Sequence, residues 1–207
     1  MSYRLAIFDF DGTLADSFPF LISCLNSLAE THQFRPICPE EIPSLREMSA
    51  REVMQDVGLP TWRLPLVARD FMARMRENID CVPLFPGVAA ALRALADRGW
   101  RLAIISSNSA DNVATVLGPA LTPLFSQMEC GMSIFGKQKR IEKVLRRSGL
   151  AADVAIYIGD QITDLEAARA AGVAFAAVAW GYGTLASMQG HNPDKVLLEP
   201  DEIGLLA

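Results

Sequence analysis

The sequence predicts an α/β protein with a doubly wound parallel sheet and an inserted all-helical subdomain. Short apolar runs rich in Ile, Val and Ala alternate with helical patterns along the chain. Such alternation is typical of a parallel sheet with helices on both faces. One stretch, residues 17–83, contains helical patterns but no convincing strand. Because a loop of that length is rare in a compact domain, we expect this stretch to fold as a subdomain.

Six strands and four core helices are predicted. The clear strands are Arg4–Asp9, Trp100–Ser106, Val154–Ile158 and Phe175–Ala179, and the weaker ones are Phe125–Glu129 and Lys195–Leu198. The helices are expected at Val88–Arg98, Ala110–Leu117, Gln138–Ser148 and Asp164–Ala171. In a sheet of this kind, ligands bind beyond the carboxyl ends of the strands.

The predicted domain organisation follows from the insertion. Residues 1–16 and 84–207 form the α/β core, and residues 17–83 form a helical cap that we expect over the open end of the sheet. The helical patterns of the cap are Phe20–Thr31, Pro39–Val57 with breaks, and Trp62–Asn78.

Composition argues against several classes of partner. The 207-residue chain has 24 acidic and 19 basic residues and a net charge of −5, without the basic stripe typical of nucleic-acid binders. We see neither a signal peptide nor an apolar run of about 18 residues that would span a membrane. The four cysteines are scattered, without a CxxC pair, as in proteins with reduced thiols. We therefore expect a cytoplasmic protein that binds neither nucleic acid nor membranes.

Two aspartates, Asp9 and Asp11, end the first predicted strand, and Gly12 and Thr13 follow. Residues two apart in an extended segment project to the same side, so both carboxylates can face the crevice. Two close carboxylates repel each other, and burying them is costly without a positive charge nearby. A cation or a chemical task is therefore expected here. The alternative is that Asp11 and Gly12 only mark a turn and that Asp9 is a capping acid.

Small polar side chains end the next core strand, where Ser106, Ser107 and Asn108 follow Ile105. Hydroxyl and amide groups at this position can hydrogen-bond a phosphate oxygen. The alternative is an N-cap for the following helix, which suits Ser107, Asn108 and Ser109 equally well. Ser106, directly at the strand end, is the better candidate for binding phosphate.

A lysine, Lys137, enters a predicted helix directly after Gly136. A cation at a helix N-terminus opposes the helix dipole, so a structural reason for it is weak. The alternative is a solvated surface lysine, the fate that we expect for Lys139 and for Arg140.

Two further aspartates, Asp160 and Asp164, follow the strand that ends near Gly159. Thr163 and Glu166 match a capping box, which would start the next helix near Thr163. Asp164 then has a structural alternative as a first-turn acid that the helix dipole favours. For Asp160 we find no structural role in the sequence.

Carboxylates at two strand ends, a hydroxyl at a third and a neighbouring lysine point to phosphate chemistry. A few carboxylates are typical ligands of Mg²⁺ beside a phosphate. A carboxylate can also attack phosphorus and form an aspartyl-phosphate. The metal and the lysine would supply the missing positive charge.

This set of motifs, in this order, resembles the haloacid dehalogenase superfamily. The matching pieces are DFDGT at Asp9–Thr13, IISS at Ile104–Ser107, Lys137 before its helix, and GDQITD at Gly159–Asp164. In detail the chain is similar to the phosphoglycolate-phosphatase-like branch, which has a helical cap between the first motif and the core. The segment AWGYG at Ala179–Gly183 is also similar to that branch.

The resemblance implies a role for each carboxylate. Asp9 would be the nucleophile and a Mg²⁺ ligand. Asp11 would be the general acid and then the base that activates water, and its backbone carbonyl would bind the metal. Asp160 would bind Mg²⁺ directly, and Asp164 would support the metal site.

The resemblance also implies the groups that bind substrate. Ser106 and Lys137 would hold the phosphoryl oxygens, and Lys137 would also steady Asp9. Further candidate substrate contacts, including two cap arginines, are Gly12, Thr13, Ser107, Asn108, Arg46 and Arg51.

The predicted function is a Mg²⁺-dependent phosphatase that acts on a small phosphorylated metabolite, a phosphoglycolate-like monoester. Dehalogenases lack the second aspartate, here Asp11, and phosphonate hydrolases need a cap lysine, whereas residues 17–83 contain none. Two alternatives stay open. A phosphosugar mutase shares every motif, and a non-catalytic binding or regulatory domain can keep the same fold.

Overall fold

The computed structural model describes residues 3–48, 50–131 and 136–206, and for residues 50, 51 and 189 it describes the backbone only. The contacts within the chain divide it into two compact units. One unit comprises Met1–Asp16 and Pro83–Ala207, and the other comprises Ser17–Val82.

The unit Ser17–Val82, called here the helical unit, contains helices and no strand among its described residues. Its helices are α1 (Phe18–His32), α2 (Ile42–Leu45), α3 (Ala50–Asp56) and α4 (Leu64–Glu77). Prolines occupy the first turns of α1, α2 and α4, where a missing N–H costs no helical hydrogen bond. Burial of apolar side chains, among them Leu28, Phe34 and Val67, gives the unit a core of its own.

The second unit, called here the core unit, is built on a six-stranded sheet. Its strands are β1 (Leu5–Phe8), β2 (Arg101–Ile105), β3 (Phe125–Glu129), β4 (Ala155–Gly159), β5 (Ala174–Val178) and β6 (Lys195–Leu197). All pair in parallel, in the order β3-β2-β1-β4-β5-β6. The predicted doubly wound α/β fold is confirmed.

Within the described ranges, five α-helices accompany this sheet. They are α5 (Val88–Asp97), α6 (Ala110–Leu121), α7 (Lys137–Ser148), α8 (Ile162–Ala170) and α9 (Leu185–Gln189). Leu5 and Ile7 of β1 pack with α7, α8 and α9 in one apolar cluster. Ala6 and Phe8 alternate to the opposite face and are also fully buried. Both faces of β1 therefore lie in the interior, as its uniformly apolar sequence predicts.

The extent of α6 and the presence of α9 differ from the prediction. Helix α6 continues to Leu121 across a kink at Gly118 (φ 67°, ψ 174°), which is followed by Pro119. Helix α9 was not predicted, because five residues are too few for a helical period to show. In the described ranges, none of the helices has the length and apolar character that crossing a bilayer requires.

Candidate active site

The site lies where β1 and β4 end side by side. Phe8 pairs with Ile158, and the N–H of Asp9 donates to the Ile158 carbonyl at 2.9 Å. Asp9 and Asp160 therefore leave neighbouring strands at the same edge of the sheet. In this strand order, β1 and β4 flank the point where the winding reverses, which is where open α/β sheets bind ligands.

Three carboxylates meet at this edge. Asp9, Asp160 and Asp164 each offer an oxygen, and these three oxygens lie within 4.8 Å of one another. All three residues are buried, Asp9 at 6% exposure and the other two at 0%. Like charges this close and this buried require compensation.

Part of the compensation comes from Lys137, the first residue of α7. Its Nζ lies 2.9 Å from Asp9 Oδ2 and also donates to Asp164 Oδ1. Burial would lower the pKa of the Lys137 ammonium, but Asp9 and Asp164 outweigh burial and raise that pKa above its usual range. The two carboxylates thus offset the unfavourable helix dipole at this position.

One ammonium does not balance three buried acids. Burial, and then the charges of Asp9 and Asp164, raise the pKa of Asp160 well above its ordinary value. Burial and the charge of Asp9 raise the pKa of Asp164 to about 6, against the opposing effect of Lys137. The site therefore favours an additional positive charge.

Asp160 also has a structural role that the sequence did not reveal. Its Oδ2 accepts the Tyr182 N–H at 2.7 Å, and its Oδ1 accepts the Thr13 hydroxyl at 3.4 Å. The Trp180 indole donates to the Thr13 carbonyl at 3.0 Å. In the sequence, residues 179–183 were notable only for their similarity to the phosphoglycolate-phosphatase-like branch. The hydrogen bond to Asp160 was not predictable, because the type of a residue does not show which acceptor its backbone N–H contacts.

Asp164 is positioned by the start of α8, which differs from the prediction. The helix begins at Ile162 with Gln161 as its N-cap, so the predicted capping box of Thr163 and Glu166 is wrong. Asp164 Oδ2 instead accepts the Gln161 N–H at 3.2 Å. An acid at the third helical position can reach back in this way. Its other oxygen, Oδ1, is left to face Lys137.

The turn after β2 places the predicted phosphate-binding residues. Ser106 is buried, and its hydroxyl accepts the Asn108 N–H at 3.0 Å. Ser107 is exposed. Asn108 Nδ2 donates to Asp11 Oδ2 at 3.3 Å, which joins this turn to the second aspartate. Ser109 is the N-cap of α6, where its hydroxyl accepts the Asn112 N–H at 3.2 Å.

The two cap arginines belong to the helical unit. Arg46 follows α2, and its guanidinium lies over the Phe18 ring at 5.4 Å. The Arg51 side chain lies outside the described residues. Their role in substrate binding stays a prediction.

Both the backbone conformation and the small space available at position 12 require glycine. Its φ is +79°, and a Cβ added there would lie 2.5 Å from Asp160 Oδ2 and 2.6 Å from Tyr182 Cδ1. Because residue 12 is glycine, the turn after β1 can lie in direct contact with Asp160.

We predict that Gly12→Ala destabilises the protein more than Gly99→Ala does. Gly99 has the same φ of +79°, but among the described residues beyond its two chain neighbours no heavy atom lies within 4 Å of its would-be Cβ. The positive φ costs each variant about 1–2 kcal/mol. Gly12→Ala should lose roughly 1–3 kcal/mol more because its methyl overlaps Asp160. Urea unfolding measures both, and equal losses would contradict the close approach.

A parallel sheet of this order, with buried carboxylates at its strand ends and a lysine beside them at the start of α7, matches the fold and site that the resemblance to the haloacid dehalogenase superfamily implied. The family model described as haloacid dehalogenase-like hydrolase matches residues 6–178. The chain belongs to this family.

Two relatives and one solved structure give the detail. A phosphoglycolate phosphatase of Synechococcus elongatus is 36% identical over 201 residues, which cover 95% of this chain and 93% of the relative. One from Haemophilus influenzae is 29% identical, with 94% and 93% covered. A haloacid dehalogenase-like family hydrolase from Streptococcus pneumoniae shares the fold with a TM-score of 0.83 at 21% identity, covering 97% of this chain and 96% of that one. The predicted family and enzyme class, a phosphatase, are confirmed.

Proposed function

We propose that this chain is a Mg²⁺-dependent phosphatase that hydrolyses a phosphoglycolate-like monoester through an aspartyl-phosphate on Asp9. The observation that carries the proposal is the environment of Asp9. This carboxylate directly follows β1, lies 2.9 Å from the Lys137 ammonium, and shares its site with Asp160 and Asp164. A carboxylate held in this way is suited to attack phosphorus.

The donor set fits Mg²⁺. The cluster offers hard carboxylate oxygens, and Lys137 alone leaves it with excess negative charge. Asp9 and Asp160 would bind the metal directly, together with the backbone carbonyl of Asp11. Asp164, which accepts hydrogen bonds from Lys137 and Gln161, would support the metal site. When bound, Mg²⁺ supplies positive charge that stabilises the transferring phosphoryl group.

The proposed reaction has two steps. In the first, an Asp9 oxygen forms a bond to phosphorus, the bond to the ester oxygen breaks, and Asp11 gives that oxygen its proton. In the second, Asp11 takes a proton from water, whose oxygen attacks phosphorus, and the bond to Asp9 breaks to release phosphate. Ser106 and Lys137 hold the phosphoryl oxygens throughout, assisted by the turn at Gly12 and Thr13, the exposed Ser107 and the amide of Asn108.

The substrate class is supported by the relative at 36% identity, whose name is phosphoglycolate phosphatase. That relative matches this chain over 95% of its length, so both units are included in the match. We extend its substrate to this chain as part of the proposal. A cytoplasmic location is part of the proposal as well and fits four cysteines that are free in the structure.

The proposal is tested by measuring phosphate release from phosphoglycolate, from a longer phosphorylated acid and from a phosphosugar. We expect turnover with Mg²⁺, none in excess chelator, and the highest kcat/KM for phosphoglycolate. Full activity in chelator would refute the metal, and preference for the phosphosugar would refute the substrate. Transfer of the phosphoryl group to a second phosphosugar, without free phosphate, would indicate a mutase instead.

A further inference from the structure

We infer that Arg140 is a positioning residue that holds the phosphate-binding turn and Lys137 in register. The arginine lies one turn after Lys137 in α7, on the same side of the helix. The sequence predicted a solvated side chain, but the structure shows Arg140 partly buried against the ends of two strands. The kinetic test of this inference rests on the proposed function, whereas its second test, hydrogen exchange, does not.

The guanidinium donates to three backbone carbonyls. Arg140 Nη1 donates to Ser106 at 2.8 Å and to Glu129 at 3.3 Å, and Nη2 donates to Gly131. Ser106 follows β2, Glu129 ends β3, and Gly131 lies in the segment after β3. A planar guanidinium with five N–H donors can serve several acceptors at once, which an ammonium on a flexible stem does less well.

These carbonyls belong to segments that also bond to each other. The Ser106 N–H donates to the Glu129 carbonyl at 3.1 Å, and the Gly131 N–H donates to the Asn108 carbonyl at 2.6 Å. Arg140, which belongs to α7, adds its own hydrogen bonds to the carbonyls of these segments. The turn from Ser106 to Asn108 is thereby fixed between β3 and α7.

Both ends of this arrangement reach the candidate active site. At one end, Asn108 Nδ2 contacts Asp11 Oδ2 at 3.3 Å. At the other, the first residue of the same helix, Lys137, contacts Asp9 at 2.9 Å. Arg140 therefore couples the turn that meets the general acid to the helix that carries the lysine. A shift of about 1 Å in such groups is enough to slow a reaction roughly 100-fold.

Arg147 provides a matched control on the same helix. It is also an arginine of α7, and its guanidinium pairs with the Glu129 side chain at 2.9 Å while 59% of its side chain is exposed. Replacing either arginine with alanine removes one positive charge from α7. Only Arg140 contacts the backbone of the Ser106 turn, so a difference between the variants reports that contact.

The kinetic test compares Arg140→Ala, Arg140→Lys and Arg147→Ala on the best phosphate ester. We expect kcat/KM to fall about 100-fold in Arg140→Ala. It should fall at least about tenfold in Arg140→Lys, because lysine keeps the positive charge but lacks the planar guanidinium that serves several carbonyls at once. Arg147→Ala should stay within about twofold. Millimolar methylguanidine should restore activity to Arg140→Ala alone. Wild-type activity in Arg140→Lys, or equal losses in both alanine variants, would overturn the inference.

The second test is hydrogen exchange, which needs no activity. The amides of Ser106, Asn108, Ser109 and Gly131 all donate within this set of segments. Their exchange should accelerate in Arg140→Ala and Arg140→Lys and remain unchanged in Arg147→Ala. Unchanged exchange in the Arg140 variants would overturn the inference. If the wild type hydrolyses none of the esters, the proposed function fails, and the exchange result still decides the role of Arg140.

Discussion

Asp9→Asn is expected to lower kcat roughly 10⁵-fold or more, because the amide cannot act as the nucleophile. The substitution keeps the size of the side chain and the hydrogen bond that the backbone N–H of residue 9 donates to the Ile158 carbonyl. Phosphate release under saturating substrate and Mg²⁺ measures the loss. Asp153→Asn, which changes an exposed acid of the same unit, should keep full activity.

The identity of the nucleophile can also be tested without turnover. Beryllium fluoride mimics a phosphoryl group on a carboxylate, and we expect its adduct on Asp9 in the wild type and no adduct in Asp9→Asn. An adduct on Asp11 or on Asp160 would show that the nucleophile is wrongly assigned. Retained turnover in Asp9→Asn would have the same meaning.

Asp160→Asn should have opposite effects on activity and stability. We expect a loss of about 10³-fold in Mg²⁺-dependent kcat, because the proposed direct ligand of the metal is weakened. Without metal, the free energy of unfolding should rise by roughly 1–2 kcal/mol, since one of three buried, mutually repelling carboxylates is gone. The amide oxygen can still accept the Tyr182 N–H, which Asp160 accepts at 2.7 Å.

Asp194→Asn is the matched control for the stability effect. Asp194 is exposed, and like Asp160 it accepts a hydrogen bond from a backbone N–H, that of Phe175 at 2.8 Å. Unlike Asp160, it is not buried in the carboxylate cluster. Urea unfolding in chelator should show a gain for Asp160→Asn alone. Added Mg²⁺ should stabilise the wild type more than Asp160→Asn, because only the wild type keeps all the proposed ligands. A destabilised Asp160→Asn protein in chelator would contradict the repulsion.

Strand ends were predictable because apolar runs that stop at polar residues mark them. Since all strands of the sheet are parallel, knowing that Asp9 and Asp160 follow strands already implies that they meet at one edge. The contact of Lys137 with Asp9 was implied by the family motif, and the structure places their charged atoms 2.9 Å apart.

Contacts to backbone groups were not predictable in the same way. Asp160 accepts the N–H of Tyr182, and Arg140 donates to three carbonyls. Every residue type has a backbone carbonyl, and every one except proline has a backbone N–H. The start of α8 was misplaced for a related reason. Two capping patterns overlap at 161–166, and in the one that the structure adopts Asp164 is buried beside Lys137.

The position of β1 in the sheet has a consequence for how the protein acquires activity during synthesis. Leu5 pairs with Arg101 on one side and with Ala155 on the other, and the whole helical unit lies between β1 and β2 in the chain. The strand that carries Asp9 thus has no partners while the ribosome is still making the helical unit. Such distant pairing slows folding, because a long loop must close first. A nascent chain is consequently expected to become an active phosphatase only after β4 has emerged, and chains truncated before β4 should show no phosphatase activity.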